Sequence, residues 1–265
     1  MIGFYDSGLG GVTILKEMVE LSAATGLMYY GDTKNVPLGE KSDTEIYAAV
    51  EQGVRFLFEN GCNLVVLACN TATVTTVRKL QGEWLTQFPG CNVLGIVRPV
   101  SEALIEMEVS KDSTLAIMGT KATIETQFYQ EELRQSGYSN LIDIACLGLA
   151  LAIEQQDTDM QKKLLKQYFA LVDVAAINYI VLACTHYPII QDLIKKEFVL
   201  AGGSKKVSII SQSEVVPEKL IDYLIRHKEY ELTGQGVSMY VTANPTEFEQ
   251  KVDKLFDIKT KVELV

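Results

Sequence analysis

Two cysteines each close a repeated apolar phrase. Val65-Val66-Leu67-Ala68-Cys69-Asn70-Thr71 is echoed by Ile180-Val181-Leu182-Ala183-Cys184-Thr185-His186. Each run reads as a buried β-strand that delivers a thiol to its C-terminal end, the edge at which open α/β sheets bind ligands. A thiol titrates near pH 8.5 in its reference state, close enough to neutrality to serve as acid or base. Two such groups on opposite faces of one carbon are what inversion of a stereocentre requires. His186 lies two residues past Cys184. If residues 184–186 leave the strand extended, both side chains point the same way, and the imidazole can polarise the thiol or act as an acid toward substrate. A Cys–His pair also serves acyl transfer, but nothing else in the chain specifies such a site. Metal binding by Cys184-x-His186 needs more ligands than the neighbourhood supplies.

The segment Asp6-Ser7-Gly8-Leu9-Gly10-Gly11 joins the first strand to the first helix. Its glycines and the free N–H groups of a helix start raise a phosphate-binding reading. No Gly-Lys-Ser/Thr follows, and a Gly-x-Gly-x-x-Gly spacing meets Thr13 at its third glycine, so a nucleotide site is not expected. Asp6 and Ser7 at the ligand-binding edge of the sheet read as functional. Cys69 stands at a strand–helix junction, where a helix N-terminus is expected to lower its pKa. Cys62, Cys91 and Cys146 read as inert buried cysteines, and His227 as a surface-helix residue.

Apolar bursts alternating with longer helical patterns must position these groups, and they predict a parallel α/β architecture. Strands are expected at 2–5, 27–31, 64–68, 93–96, 114–119, 142–145, 179–183, 207–210 and 237–242. Helices are expected at 11–22, 44–60, 71–88, 124–136, 160–178, 187–200, 215–227 and 246–256. The repeat divides the chain into related halves, one starting at Met1 and the other near Pro99. The length of 265 residues favours two domains or one large α/β unit. A net charge of −10 argues against nucleic acid and anionic membranes as partners. A small anion remains admissible, because local N–H donors can outvote global charge. Five cysteines with no CxxC pattern argue against a disulfide scaffold and structural zinc. No basic leader and no apolar run of transmembrane length is present, so a cytoplasmic setting is expected.

With these residues assembled, the chain resembles glutamate racemase, the cofactor-independent family that makes D-glutamate for peptidoglycan, and so serves cell-wall biogenesis and cell shape. The resemblance rests on Asp6-Ser7-Gly8-Leu9-Gly10-Gly11, Gly31-Asp32 with Pro37-Leu38-Gly39, Ala68-Cys69-Asn70-Thr71-Ala72, Gly119-Thr120-Lys121-Ala122-Thr123 and Ala183-Cys184-Thr185-His186-Tyr187-Pro188. These phrases span nearly the whole chain in family order. The resemblance implies two pseudo-symmetric parallel-sheet α/β domains with an interdomain cleft. One would comprise residues 1–97 plus about 212–265, and the other about 98–211. It implies Cys69 and Cys184 as the two acid/bases, Asp6 assisting the first, and His186 with Glu154 assisting the second. Ser7, Pro37, Leu38, Gly39, Asn70, Thr71, Thr120, Thr123 and Thr185 would join them around the substrate. No cofactor or metal is implied; glutamate is the expected small-molecule partner, and a homodimer is left open.

The chain departs from the family pattern at several places. Leu38 stands where Tyr is usual, Ala183 where Gly is usual, and Arg98 where an acid is more frequent. Leu147 and Leu151 replace prolines, and Ser211-Gln212 stand for Asp-Ser. These changes motivate two alternatives: a racemase for another acidic amino acid such as aspartate, and a non-catalytic amino-acid-binding relative.

Overall fold

The computed structural model describes residues 1–22, 26–230 and 236–265. Its strands are β1 (Ile2–Asp6), β2 (Leu27–Gly31), β3 (Leu64–Leu67), β4 (Asn92–Gly95), β5 (Leu115–Gly119), β6 (Leu141–Ala145), β7 (Tyr179–Ala183), β8 (Ser208–Ser211), β9 (Val237–Val241) and β10 (Val262–Leu264). The helices are α1 (Val12–Ser22), α2 (Asp43–Glu59), α3 (Asn70–Gln81), α4 (Arg98–Glu106), α5 (Lys121–Glu125), α6 (Phe128–Gln135), α7 (Leu149–Glu154), α8 (Thr158–Phe169), α9 (Gln191–Leu200), α10 (Gln212–Arg226) and α11 (Pro245–Phe256).

The strands form two parallel sheets, ordered β10-β9-β2-β1-β3-β4 and β6-β5-β7-β8. The chain builds most of the first sheet, then the second, and returns to add β9 and β10 to the edge of the first. Strands β1, β2 and β3 are buried along their whole length, as parallel strands covered by helices on both faces must be. Alternate residues feed opposite layers. Ile2 and Phe4 pack with α1, α10 and α11 side chains such as Leu15, Leu220 and Phe248, whereas Tyr5 packs with Val54 of α2 and Leu80 of α3. The second sheet is covered in the same way by Leu165 and Phe198 on one face and by Leu104 and Leu133 on the other. Val74 of α3 joins that last cluster, so the helix beginning after Cys69 also packs against the layer of the second sheet.

Each sheet has a switch point where the strand order reverses. In the first sheet β1 lies between β2 and β3, and in the second β5 lies between β6 and β7. The crevices beyond the carboxyl ends of β1/β3 and β5/β7 are therefore the places where ligands can enter the sheet edge. Asp6, Cys69, Thr120 and Cys184 occupy those ends.

Several expected helices are shorter than their periodicity implied. The 71–88 pattern stops at Gly82 and continues as a 3₁₀ turn, Glu83–Gln87. The 124–136 pattern divides into α5 and α6 at Gln127, whose φ of 56° is left-handed. The 160–178 pattern ends at Phe169, and the 187–200 pattern opens with a 3₁₀ turn containing Pro188. Helices α4 and α7 and strand β10 were not anticipated. Helix α4 carries a proline in its first turn, α7 is only 6 residues long, and β10 has 3 residues of which only Val262 is buried.

Candidate active site

Cys69 is the N-cap of α3. Its sulfur accepts the Ala72 N–H at 3.5 Å, and its thiol donates to Ser7 Oγ at 3.6 Å. A helix start was expected to lower its pKa, and the structure shows the opposite. Burial, reinforced by the nearby Asp6 charge, outweighs the Ala72 N–H and Ser7 hydroxyl and pushes the thiol up to about 12. Asp6 is fully buried and accepts from Gly8 N–H at 2.9 Å and Thr185 Oγ1 at 3.2 Å. Burial also raises the Asp6 carboxyl, with the His186 charge and these donors opposing it. The Thr185 contact ties the end of β1 to the end of β7, one strand from each sheet.

Cys184 follows β7, but no α-helix starts beside it. His186 begins a 3₁₀ turn, and its Nδ1 lies 3.8 Å from Cys184 Sγ. Its Nε2 meets Glu154 Oε1 at 2.7 Å, and that oxygen also accepts the Leu9 N–H at 3.0 Å. Lys251 Nζ of α11 stands 3.8 Å from the other Glu154 oxygen. Burial alone would raise the Glu154 carboxyl; the His186 bond and charge, Leu9 and Lys251 overcome it and hold the group at about 2. Burial lowers the proton affinity of His186, yet its bonds and charge interactions with Cys184 and Glu154 lift it well above the ordinary histidine value.

The two half-sites meet through hydroxyls and through glycines. Thr71 Oγ1 lies 3.0 Å from Thr120 Oγ1, which lies 2.9 Å from Thr123 Oγ1 and accepts the Thr123 N–H at 3.2 Å. A Cβ on Gly10 would sit 2.5 Å from Thr185 Oγ1 and 2.7 Å from His186 Nδ1, and one on Gly8 would sit 2.7 Å from Glu154 Oε1. The glycines first considered for phosphate binding instead let the β1–α1 turn touch the second half of the chain.

A cavity of about 40 Å³ separates the thiols. Ser7, Pro37, Leu38, Gly39, Cys69, Asn70, Thr71, Thr120, Cys184, Thr185 and His186 all line it. The loop bearing Pro37 to Gly39 is held by Asp32, which accepts from Asn35 Nδ2 and Thr242 Oγ1. Asp6, Glu154 and Thr123 stand behind this wall rather than in it: Asp6 and Glu154 brace Thr185 and His186, and Thr123 braces Thr120. The side chain of Asn70 is also turned to structural work, bonded to Gln212 and Tyr129.

Sequence reasoning missed part of the wall. Cys146, read as inert, lines the cavity with Leu147 and Leu151. Their signal was present in the family departures at 147 and 151; Cys146 follows β6 as Cys184 follows β7, which the repeat did not reveal. Lys251 and Tyr129 carried no sequence signal, because their partners lie 97 and 59 positions away. Among the described residues, no group of three or more His, Cys, Asp or Glu side chains is placed to hold a metal ion.

Residues 10–216 match the family model described as Asp/Glu/Hydantoin racemase. A glutamate racemase of Jannaschia sp. is 32% identical over 262 residues, covering 94% of each chain, and one of Paracoccus denitrificans is 32% identical over 258 residues, covering 93% of this chain and 92% of its own. The crystal structure of a glutamate racemase isoform from Bacillus anthracis superposes with a TM-score of 0.87 at 28% identity, covering 100% of this chain and 97% of that one.

Proposed function

The chain belongs to the Asp/Glu/hydantoin racemase family, and we propose that it interconverts L-glutamate and D-glutamate by two-thiol proton transfer without a cofactor. The observation that carries this reading is that both thiols line one cavity, each at the switch point of its own sheet. One sulfur takes the α-proton as a thiolate, the C–H electron pair passes into the α-carboxylate, and the opposite thiol returns a proton to the other face. Atoms and charge balance, with the two sulfurs exchanging protonation states at each turnover. The matching curated relatives, named glutamate racemase along nearly their whole length, support glutamate as the substrate.

The surroundings of the two thiols differ. Burial and the Asp6 charge favour the protonated form of Cys69, the acid. A thiolate at Cys184 has an imidazole beside it with a raised proton affinity, and Glu154 stabilises the imidazolium. Ser7, Thr71, Thr120 and Thr185 offer hydroxyls to the carboxylates and ammonium, and the backbone from Pro37 to Gly39 closes the far end. Donors aimed at the α-carboxylate stabilise the charge that develops there, and a dry site strengthens them. Roughly 40 Å³ holds only a few waters, so the two layers must part to admit an amino acid and close again around it. The product would serve peptidoglycan synthesis in the cytoplasm. No helix among the described residues is long and apolar enough to cross a membrane.

The test is incubation of purified, reduced protein with L-glutamate in D2O without added cofactor, followed by chiral chromatography and mass spectrometry. α-Deuterated D-glutamate is the expected product. Faster turnover of aspartate would reassign the substrate, and ligand-induced thermal stabilisation without α-exchange would indicate a binding protein instead.

A further inference from the structure

Gln212 is fully buried at the first position of α10, where the chain crosses back from the second sheet to the first. Its Nε2 lies 2.8 Å from Asn70 Oδ1, 3.1 Å from the Ile96 carbonyl oxygen and beside the Tyr129 hydroxyl, its two N–H groups shared among these three acceptors, while its Oε1 accepts from Asn70 Nδ2. Tyr129 OH closes the group by donating to Asn70 Oδ1 at 2.6 Å. Asn70 and Tyr129 are themselves buried.

The placement of these partners gives the cluster its meaning. Ile96 lies on the outgoing crossover between β4 and α4, and Gln212 lies on the returning one after β8. Tyr129 belongs to α6, in the layer of the second sheet. Asn70 is the first residue of α3, adjacent to Cys69. One amide thus joins both crossovers and the second layer to the helix start that caps the first thiol. A serine at this position would be too short to make these contacts together. Leaving any of these buried groups unmatched would be costly, so the cluster has one well-defined arrangement.

We propose that Gln212 is a positioning residue for Cys69, setting the α3 N-terminus and its thiol relative to both interlayer crossovers. This rests on the racemase reading for its kinetic readout, but not for its chemical one. When the Gln212 amide is lost, Asn70 keeps only the bond from Tyr129, its ties to both crossovers are cut, and the Ala72 N–H aligns less well on Cys69 Sγ. Proton transfer at Cys69 slows while Cys184, held by His186 and Glu154, is unaffected.

The test variant is Gln212→Leu, which keeps the volume and removes the hydrogen bonds. Enantiomers have equal free energy, so kcat/KM must fall equally in both directions; the expected loss is about tenfold. The primary isotope effect with α-deuterated substrate carries the direction. It rises for the enantiomer whose proton Cys69 removes, and falls for the other, where slow reprotonation by Cys69 masks abstraction. Wild-type kinetics, or equal movement of the isotope effect in both directions, overturns the proposal. Tyr129→Phe retains the ring, removes one donor to Asn70, and must show the same signature more weakly if Gln212→Leu does not fold. A second readout needs no turnover: iodoacetamide labelling of Cys69 and Cys184, compared peptide by peptide. The Cys69-to-Cys184 ratio is expected to fall about threefold in the variant, and an unchanged ratio refutes the positioning role even if the wild-type protein proves inactive on glutamate.

Discussion

Replacing Glu154 by Gln isolates the charge that stands behind His186. Glutamine preserves the shape, and its Oε1 can still accept both His186 Nε2–H and the Leu9 N–H, the contacts now 2.7 and 3.0 Å long. What disappears is the negative charge that opposes the burial of the imidazolium. A hydrogen bond to a charged group contributes about 1.5–3 kcal/mol, so kcat/KM should fall about ten- to hundredfold if the imidazolium supports Cys184 in the transition state. An upper bound comes from the facing charges: an imidazolium 3.8 Å from a thiolate interacts by about 4 kcal/mol at an effective dielectric near 20. The pH profile carries a sign as well. His186 is held protonated above its ordinary range by Cys184 and Glu154. Losing the Glu154 charge lowers that proton affinity, so the alkaline limb assigned to His186 must move to lower pH. The assay is initial racemisation rate against pH, read by coupled oxidation of one enantiomer, with circular dichroism to verify folding. A folded Glu154→Gln protein with wild-type kcat/KM and an unmoved alkaline limb refutes the relay.

Substitution of either thiol, Cys69→Ser or Cys184→Ser, should reduce racemisation by about 10²- to 10⁴-fold, measured by polarimetry on purified protein; wild-type-like activity in either would end the two-thiol reading. Gly10→Ala places a methyl 2.5 Å from Thr185 Oγ1 and 2.7 Å from His186 Nδ1. It should cost about 1–3 kcal/mol in urea unfolding and most of the activity, and a neutral result would show that the turn yields freely. Glu154 ionises at about 2 in the folded chain, against an unfolded value near 4.3, so its ionisation contributes about 3 kcal/mol at neutral pH. Its pKa is depressed, so that stability is lost as pH falls from about 5 toward 2, a range in which His186 is protonated in both states. Urea midpoints of wild type and Glu154→Gln should therefore converge on acidification, and a constant gap across that range would contradict it.

What the chain decides locally is legible in its order of residues. Short apolar runs bounded by turn signals and rich in β-branched residues read as buried parallel strands, and a cysteine directly after such a run emerges at the carboxyl edge. Cys69 and Cys184 stand there because β3 and β7 end at Leu67 and Ala183. The shorter boundaries of α3, α5 and α8 depended on single conformational choices, such as left-handed Gln127, that periodicity does not register. Tertiary structure alone decided the protonation preference of Cys69. A helix N-terminus favours a thiolate, but burial beside Asp6 reverses that preference at Cys69, because desolvation depends on what packs around the sulfur rather than on its neighbours in the chain. The same holds for Leu9 meeting Glu154 across 145 positions and for Asn70 meeting Gln212 across 142. Such contacts exist only once two sheets, each ordered by its own strands, have brought their switch points together.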